Sequence, residues 1–264
     1  MTGPVMASIF DFPGVYAKVL MRSPDEVSAE VQTVCGLMAR HGLGRGKVLD
    51  IACGTGVHAV PLAKRGHHVL GLDLSAAMID VAQRAAENAG VASKLTLHQG
   101  DFTEFSLHGE TVDCAMFTFE TFPLIVDDEQ LRTHFQSVRR HLRPGGIYIV
   151  DVDVPRAEYD TKRSIWGRRT VALGADDTVE IWNESLPGNP QNATSHMVMH
   201  CRIRLGAAVY ETVDDWLLKC YTPGSLRRLV EAQAGFALEG FCSWKELSEE
   251  LSGLAHYFMV VKAV

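Results

Sequence analysis

Between residues 47 and 153, short apolar runs alternate with helical segments, and this alternation constrains the fold more than any other feature. Strands are expected at 47–53, 67–74, 94–99, 112–119 and 146–153, and helices at 58–65, 76–89 and 127–142. Ser75 suits the N-cap of the second helix. Asp127, Asp128 and Glu129 suit the positive end of the third, whose Leu131, Phe135, Val138 and Leu142 form one apolar stripe. Arg143-Pro144-Gly145-Gly146 stops that helix before the fifth strand. Strands separated by helices of this length imply right-handed βαβ units and a parallel sheet. Upstream, Pro24 opens a further helix over 24–42.

The rhythm changes after Asp153, where residues 169–221 alternate with period two. Met197, Met199, Cys201, Ile203 and Leu205 point one way, and His196, His200, Arg202 and Arg204 the other. Strands over 180–184, 195–205 and 209–221 then form a small antiparallel layer, expected to cover the open end of the main sheet. A helix at 223–234 and strands at 236–243 and 255–263 complete the core. The expected architecture is α/β: a Rossmann-like, seven-stranded, mostly parallel sheet with helices on both faces, a final antiparallel strand and the β insertion after strand five. It divides into an N-terminal helical cap (1–46), the ligand-binding core (47–153), a lid or substrate insertion (154–221) and a C-terminal completion of the sheet (222–264).

At 264 residues the chain is expected to be one domain with an insertion. A net charge of −7 without a Lys/Arg cluster argues against a nucleic-acid partner. No apolar run is long enough to span a bilayer, and no secretory pattern opens the chain, so a cytoplasmic protein without a membrane partner is expected. The six cysteines lack metal-site spacing and read as buried apolar residues in a reducing compartment. Asn192-Ala193-Thr194 matches a glycosylation pattern by chance in that setting.

The strongest motif is Val48-Leu49-Asp50-Ile51-Ala52-Cys53-Gly54-Thr55-Gly56. Paired glycines after a first strand let the backbone turn sharply and approach a ligand. Asp50 lies inside the strand, where a buried carboxylate must be paired; it can organise the loop and, through water, a cationic group. Asp73 ends the second strand, at the distance that places a carboxylate against ribose hydroxyls. Gly100-Asp101-Phe102 closes the third, where Asp101 can accept from an adenine amino group and Phe102 can cover the ring. Each acid taken alone reads equally as a loop cap; together, at these spacings, they point to a nucleoside. No Walker lysine follows, which excludes NTP phosphoryl transfer. Ala59 replaces the third glycine of a dinucleotide fingerprint, so an NAD-dependent oxidoreductase stays as an alternative, opposed by Asp50 and the Gly-Asp-Phe turn.

On these motifs, residues 47–153 resemble the class I S-adenosylmethionine (SAM)-dependent methyltransferases, with the Leu-Arg-Pro-Gly-Gly before strand five and the reversed C-terminal hairpin. The resemblance implies SAM as cofactor and S-adenosylhomocysteine as product. It implies a cofactor set of Asp50, Ala52, Gly54, Thr55, Gly56, Asp73, Leu74, Met78, Gly100, Asp101 and Phe102, with Phe117 and Thr118 beside the methyl group. Leu97-His98-Gln99-Gly100-Asp101, the inserted strands and Tyr16 are similar to amino-sugar N-methyltransferases of antibiotic pathways. That likeness implies that Tyr16 and Arg22 close over the methionine end of SAM.

Methyl transfer from a sulfonium is an in-line displacement, so the protein mainly holds the acceptor near the methyl carbon and excludes water. Glu120, beside Phe117, Phe119 and Phe122, is the best-placed base or cation partner, though a solvated loop residue reads equally well. His196 and His200 share one face of the insertion and are alternative bases, or simply a wet strand surface; no metal is expected. His134 reads as a surface residue. Tyr16, Phe119, Glu120, Trp166, Trp182 and Tyr221 are candidates for the acceptor pocket. The expected function is methylation of N or O of a small-molecule metabolite of secondary metabolism. C-methylation and a non-catalytic SAM-fold binding module are the alternatives, and a homodimer is left open.

Overall fold

The parallel segment folds as its periodicity dictates. The computed structural model describes residues 8–153, 163–174, 176–243 and 256–264. Two compact units emerge, one built on a seven-stranded sheet and one on a four-stranded antiparallel sheet.

The larger unit holds β1 (Lys47–Ile51), β2 (His68–Asp73), β3 (Leu95–Gln99), β4 (Val112–Phe117), β5 (Leu142–Asp153), β10 (Phe236–Ser243) and β11 (His256–Ala263). Their order is β10-β11-β5-β4-β1-β2-β3, with β11 antiparallel to β5 and β10, and the others parallel. The order reverses between β1 and β4, whose last residues pair as Ile51 with Phe117. Ligands of open α/β sheets bind at such a switch point, outside the carboxyl ends of the strands.

Helices α2 (Pro24–Arg40), α3 (Ala59–Lys64), α4 (Ala76–Asn88), α5 (Asp128–His141) and α6 (Pro223–Glu231) accompany the sheet. The caps explain their starts: the hydroxyls of Ser23, Ser75 and Thr222 and the carboxylate of Asp127 each accept a backbone N–H of the first turn. Two buried apolar clusters carry this unit. One joins Leu49, Phe117, Phe122, Phe135 and Tyr148, and the other Val31, Met38, Val48, Leu62 and Phe258.

The smaller unit combines α1 (Pro13–Val19) with β6 (Ser164–Ala172), β7 (Thr178–Asn189), β8 (Thr194–Leu205) and β9 (Ala208–Lys219), paired in sequence order. Its core joins Ile9, Val15 and Val19 to Val179, Ile181, Met199, Cys201 and Ile203. The period-two alternation of 195–205 is thus one buried face and one wet face.

Several expectations are corrected. The insertion has four strands, not three: β6 carries the mixed run Ser-Ile-Trp-Gly-Arg-Arg, which hides its alternation, and its register slips between Trp166 and Arg169. The N-terminal cap over 1–46 divides, since residues 8–22 belong with the antiparallel sheet and 23–46 with the parallel one. The insertion also ends earlier than residue 221, because Tyr221 is buried in the larger unit against Phe122, 5.3 Å between rings. Strand five runs from Leu142, with Arg143–Gly146 out of register before pairing resumes at Ile147.

Candidate active site

The glycine loop after β1 is built by left-handed backbone. Ala52, Gly54 and Gly56 have φ of 55°, 53° and 79°. Ala52 occupies this region at a strain of roughly 1–3 kcal/mol, as segments at binding sites often do. A Cβ on Gly56 would sit 3.1 Å from Cβ of Ala82 on α4, so close helix packing excludes a side chain there. A Cβ on Gly54 would meet nothing within 4 Å, so its outer side is open to an approaching ligand.

Asp73 fixes this loop. Its Oδ2 accepts the Gly54 N–H at 2.8 Å and its Oδ1 accepts the Ser75 N–H at 2.9 Å. Burial raises its pKa, while those amides and that of Leu74 pull it down. A carboxylate has about four acceptor sites, so these three amides leave capacity for a ribose hydroxyl. Asp101 is exposed, and its Oδ1 accepts the Thr103 N–H and hydroxyl at 2.7 and 2.8 Å. Phe102 is half-buried, with its ring 5.2 Å from that of Phe117. Leu74 is 63% exposed. Met78 is buried, so it meets a ligand only through its surroundings. Phe117 is also fully buried, a floor rather than a contact surface.

Asp50 tests whether the residues fit SAM. Its carboxylate is buried, and no side chain hydrogen-bonds either oxygen. Burial pushes its pKa up to about 6, opposed by the nearby His58 and the Ala59 amide and reinforced by Asp73. A carboxylate left in this state suits a cationic or water-bridged group arriving at the loop, as the α-ammonium of SAM supplies. The raised pKa also sets a stability trend. Asp50 favours folding below its unfolded value of 3.8, and that contribution is lost as pH rises through about 6. Asp50→Asn is therefore expected to stabilise the ligand-free protein at pH 8 by up to about 3 kcal/mol, and little at pH 4, while weakening SAM binding. Urea titrations at the two pH values check this, and an equal effect at both would overturn it.

A buried polar chain that the sequence reading missed lies beneath the loop. Nε2 of His58 bonds Oε2 of Glu30 at 2.5 Å, and Nδ1 meets the Thr118 hydroxyl at 3.3 Å. It links α2, the glycine loop and the end of β4. Glu30 was visible as a charge within the Val27, Val31, Val34 stripe of α2. Beyond Thr118, Phe119 and Glu120 are both left-handed, with φ of 60° and 54°. Such a pair of non-glycine residues is strained by about 1–3 kcal/mol each and aims the mouth of β4. The Phe119 ring stands 5.3 Å from that of His58.

His134 is not a surface residue. It is fully buried, donates from Nδ1 to the Phe102 carbonyl at 2.6 Å and accepts the Tyr148 hydroxyl at Nε2, 2.7 Å away. Burial lowers its pKa to about 4, so it stays neutral and anchors the Gly-Asp-Phe turn.

The remaining candidates lie in the antiparallel unit. Tyr16 packs on Phe10 with ring centres 5.5 Å apart, and Arg22 closes that unit's N-terminal segment. Nε2 of His196 pairs with Asp215 at 2.6 Å and Nε2 of His200 with Glu184 at 3.5 Å, so the two histidines serve separate carboxylates. Trp182 stacks on His200, 5.0 Å apart and 5° from parallel, under the Arg168 guanidinium. Trp166 is 48% exposed, and its indole N–H donates to Ser185. Among the described residues no trio of His, Cys, Asp or Glu is arranged for a metal, and no helix is long and apolar enough to cross a membrane.

Comparison with known proteins finds similarity in the parallel segment and in the fold. Residues 48–146 match the family model described as a methyltransferase domain. Over 173 residues the chain is 29% identical to the cypemycin N-terminal methyltransferase of a Streptomyces species, covering 64% of this chain and 68% of that protein. Over 141 residues it is 29% identical to the dTDP-3-amino-3,4,6-trideoxy-α-D-glucopyranose N,N-dimethyltransferase of Streptomyces venezuelae, covering 53% of this chain and 56% of the relative. The fold is similar to that of an S-adenosylmethionine-dependent methyltransferase from Clostridium acetobutylicum, with a TM-score of 0.76, 17% identity and coverage of 96% and 97% of the two chains.

Proposed function

We propose that the chain is a class I SAM-dependent methyltransferase, as its methyltransferase-domain match over residues 48–146 supports, and that it methylates the amine nitrogen of a small molecule, with an amino sugar as the acceptor class. The observation that carries the reading is Glu120, held by left-handed backbone at the mouth of β4, beside Phe119 and across the switch point from the glycine loop. A carboxylate flanked by aromatic surface suits a cationic amine on a largely apolar ring. The named N,N-dimethyltransferase relative, which by its name acts on an amino sugar, points the same way.

In this reading Gly54, Gly56, Asp73 and Asp101 hold the nucleoside of SAM, and Asp50 faces its ammonium end. Bound SAM supplies an electrophilic methyl carbon on a sulfonium. The protein's own task is to hold a neutral nitrogen in line with that carbon and keep water away. Tyr221, packed on Phe122 in the larger unit, remains a candidate for recognising the acceptor.

The test uses purified protein, SAM and two acceptors: dTDP-3-amino-3,4,6-trideoxy-α-D-glucopyranose and its 3-hydroxy counterpart. Release of S-adenosylhomocysteine and mass spectrometry of the sugar should show methylation of the amine alone. Turnover of the hydroxy sugar in preference to the amine would replace the reading with O-methylation.

A further inference from the structure

Beside the cofactor loop, three side chains of the larger unit converge on one point without any part in holding a nucleoside. Asp151 lies within β5, in the centre of the sheet, with β4 on one side and β11 on the other. His256 is the first residue of β11, and its Nε2–H donates to Oδ1 of Asp151. The same Nε2 lies 4.0 Å from Oε1 of Glu120. Side-chain exposure rises along the series from 0% at Asp151 to 13% at His256 and 47% at Glu120. A buried carboxylate in a central strand is unfavourable unless it is paired, and an apolar residue would serve β5 better. The rising exposure decides which end a ligand can reach: only Glu120 presents its carboxylate to one.

We propose that Glu120 accepts the proton of the acceptor's ammonium, and that His256, clamped by Asp151, is the positioning residue that holds Glu120 to this task. The proposal rests on the amine reading above. An ammonium has no lone pair and cannot attack carbon. The proton leaves nitrogen for a carboxylate oxygen of Glu120, and the N–H electron pair stays on nitrogen as the lone pair. That pair forms the new N–C bond, while the electrons of the methyl–sulfur bond remain on sulfur as S-adenosylhomocysteine is formed. Glu120, nearly half exposed, returns its proton to water before a second methylation. Among the described residues, Asp151 from β5 and Glu120 from the loop after β4 face His256.

The test compares Glu120→Gln, His256→Ala, His256→Gln and the double variant Glu120→Gln/His256→Ala, in the intact chain. Two acceptors are used near pH 7: dTDP-3-amino-3,4,6-trideoxy-α-D-glucopyranose, which arrives as an ammonium, and its 3-aminooxy counterpart, whose nitrogen arrives neutral. With the amine, Glu120→Gln should lower kcat by roughly 100-fold, within the usual range for a general base. His256→Ala should lower it by about 10-fold, and the double variant by no more than Glu120→Gln alone. His256→Gln, which keeps a donor toward Asp151, should recover most of the loss. SAM affinity should stay within about twofold throughout, and the kcat loss of Glu120→Gln should be at least about tenfold smaller with the aminooxy acceptor than with the amine.

Losses that multiply in the double variant, or that are equal for both acceptors, would overturn the proposal in favour of a structural role. Should His256→Ala fail to fold, Glu120→Gln alone decides, because a half-exposed loop residue tolerates the change. Failure of the parent protein to methylate either nitrogen would remove the amine reading, and this inference with it. Turnover of the amine by the parent and by Glu120→Gln at the same rate would remove the inference alone.

Discussion

Replacing Asp73 with alanine is expected to weaken SAM binding by roughly 100-fold, about 2.7 kcal/mol. The carboxylate stands at the end of β2, and its two oxygens already accept the amides of Gly54 and Ser75. One group therefore shapes the glycine loop and, in the proposed reading, offers its remaining lone pairs to the ribose. Hydrogen bonds to a charged group contribute about 1.5–3 kcal/mol each. Alanine removes the ribose contact and releases the Gly54 amide from the geometry that the ligand meets. Asp73→Asn keeps the shape and one acceptor oxygen, so its loss should be intermediate. Calorimetric titration with SAM and with S-adenosylhomocysteine measures both, and an alanine variant within threefold of the parent would show that the nucleoside lies elsewhere.

His58→Ala is expected to lower the free energy of unfolding by about 3–5 kcal/mol, a large share of the 5–15 kcal/mol typical of a whole domain. Glu30 and His58 are both buried, and the 2.5 Å contact joins them beneath the loop. Removing the imidazole leaves Oε2 of Glu30 facing a cavity it was placed to bond across. The double variant Glu30→Leu/His58→Leu should recover most of this stability, because apolar side chains of similar size fill a buried pair's space without its desolvation cost. Both variants should bind SAM more weakly than the parent whatever their stability, since neither retains the contact to Thr118 that links this pair to the end of β4. Urea unfolding gives the first comparison and SAM titration the second. A single variant as stable as the parent would mean that the pair carries no weight.

The proposed nucleoside side of the site is legible in the sequence because its parts lie close to strand ends along the chain. Gly54, Gly56, Asp73 and Asp101 each follow a strand that the apolar pattern marks, and a parallel sheet brings consecutive strand ends to one edge. His134 was misread because a histidine is assigned to water by habit, although it falls on the same helical stripe as Leu131, Phe135 and Val138. A stripe position is buried whatever residue occupies it, and burial then selects the hydrogen bonds found at Phe102 and Tyr148. Tyr221 was credited to the insertion because the period-two pattern runs up to it; packing against Phe122 assigns it to the core.

The Asp151–His256 contact joins residues 105 apart in sequence, and no spacing rule reaches that far. It exists because β11 inserts between β10 and β5 in reverse direction, which sets the start of one strand against the end of another. The amino-acid sequence by itself determined the class of fold and the glycine bend after the first strand, since both depend on short-range periodicity and on the backbone freedom of glycine. Only the tertiary structure decided which polar side chains are buried and which of them meet, because strand order and depth of burial arise from packing across the whole sheet rather than from neighbours along the chain.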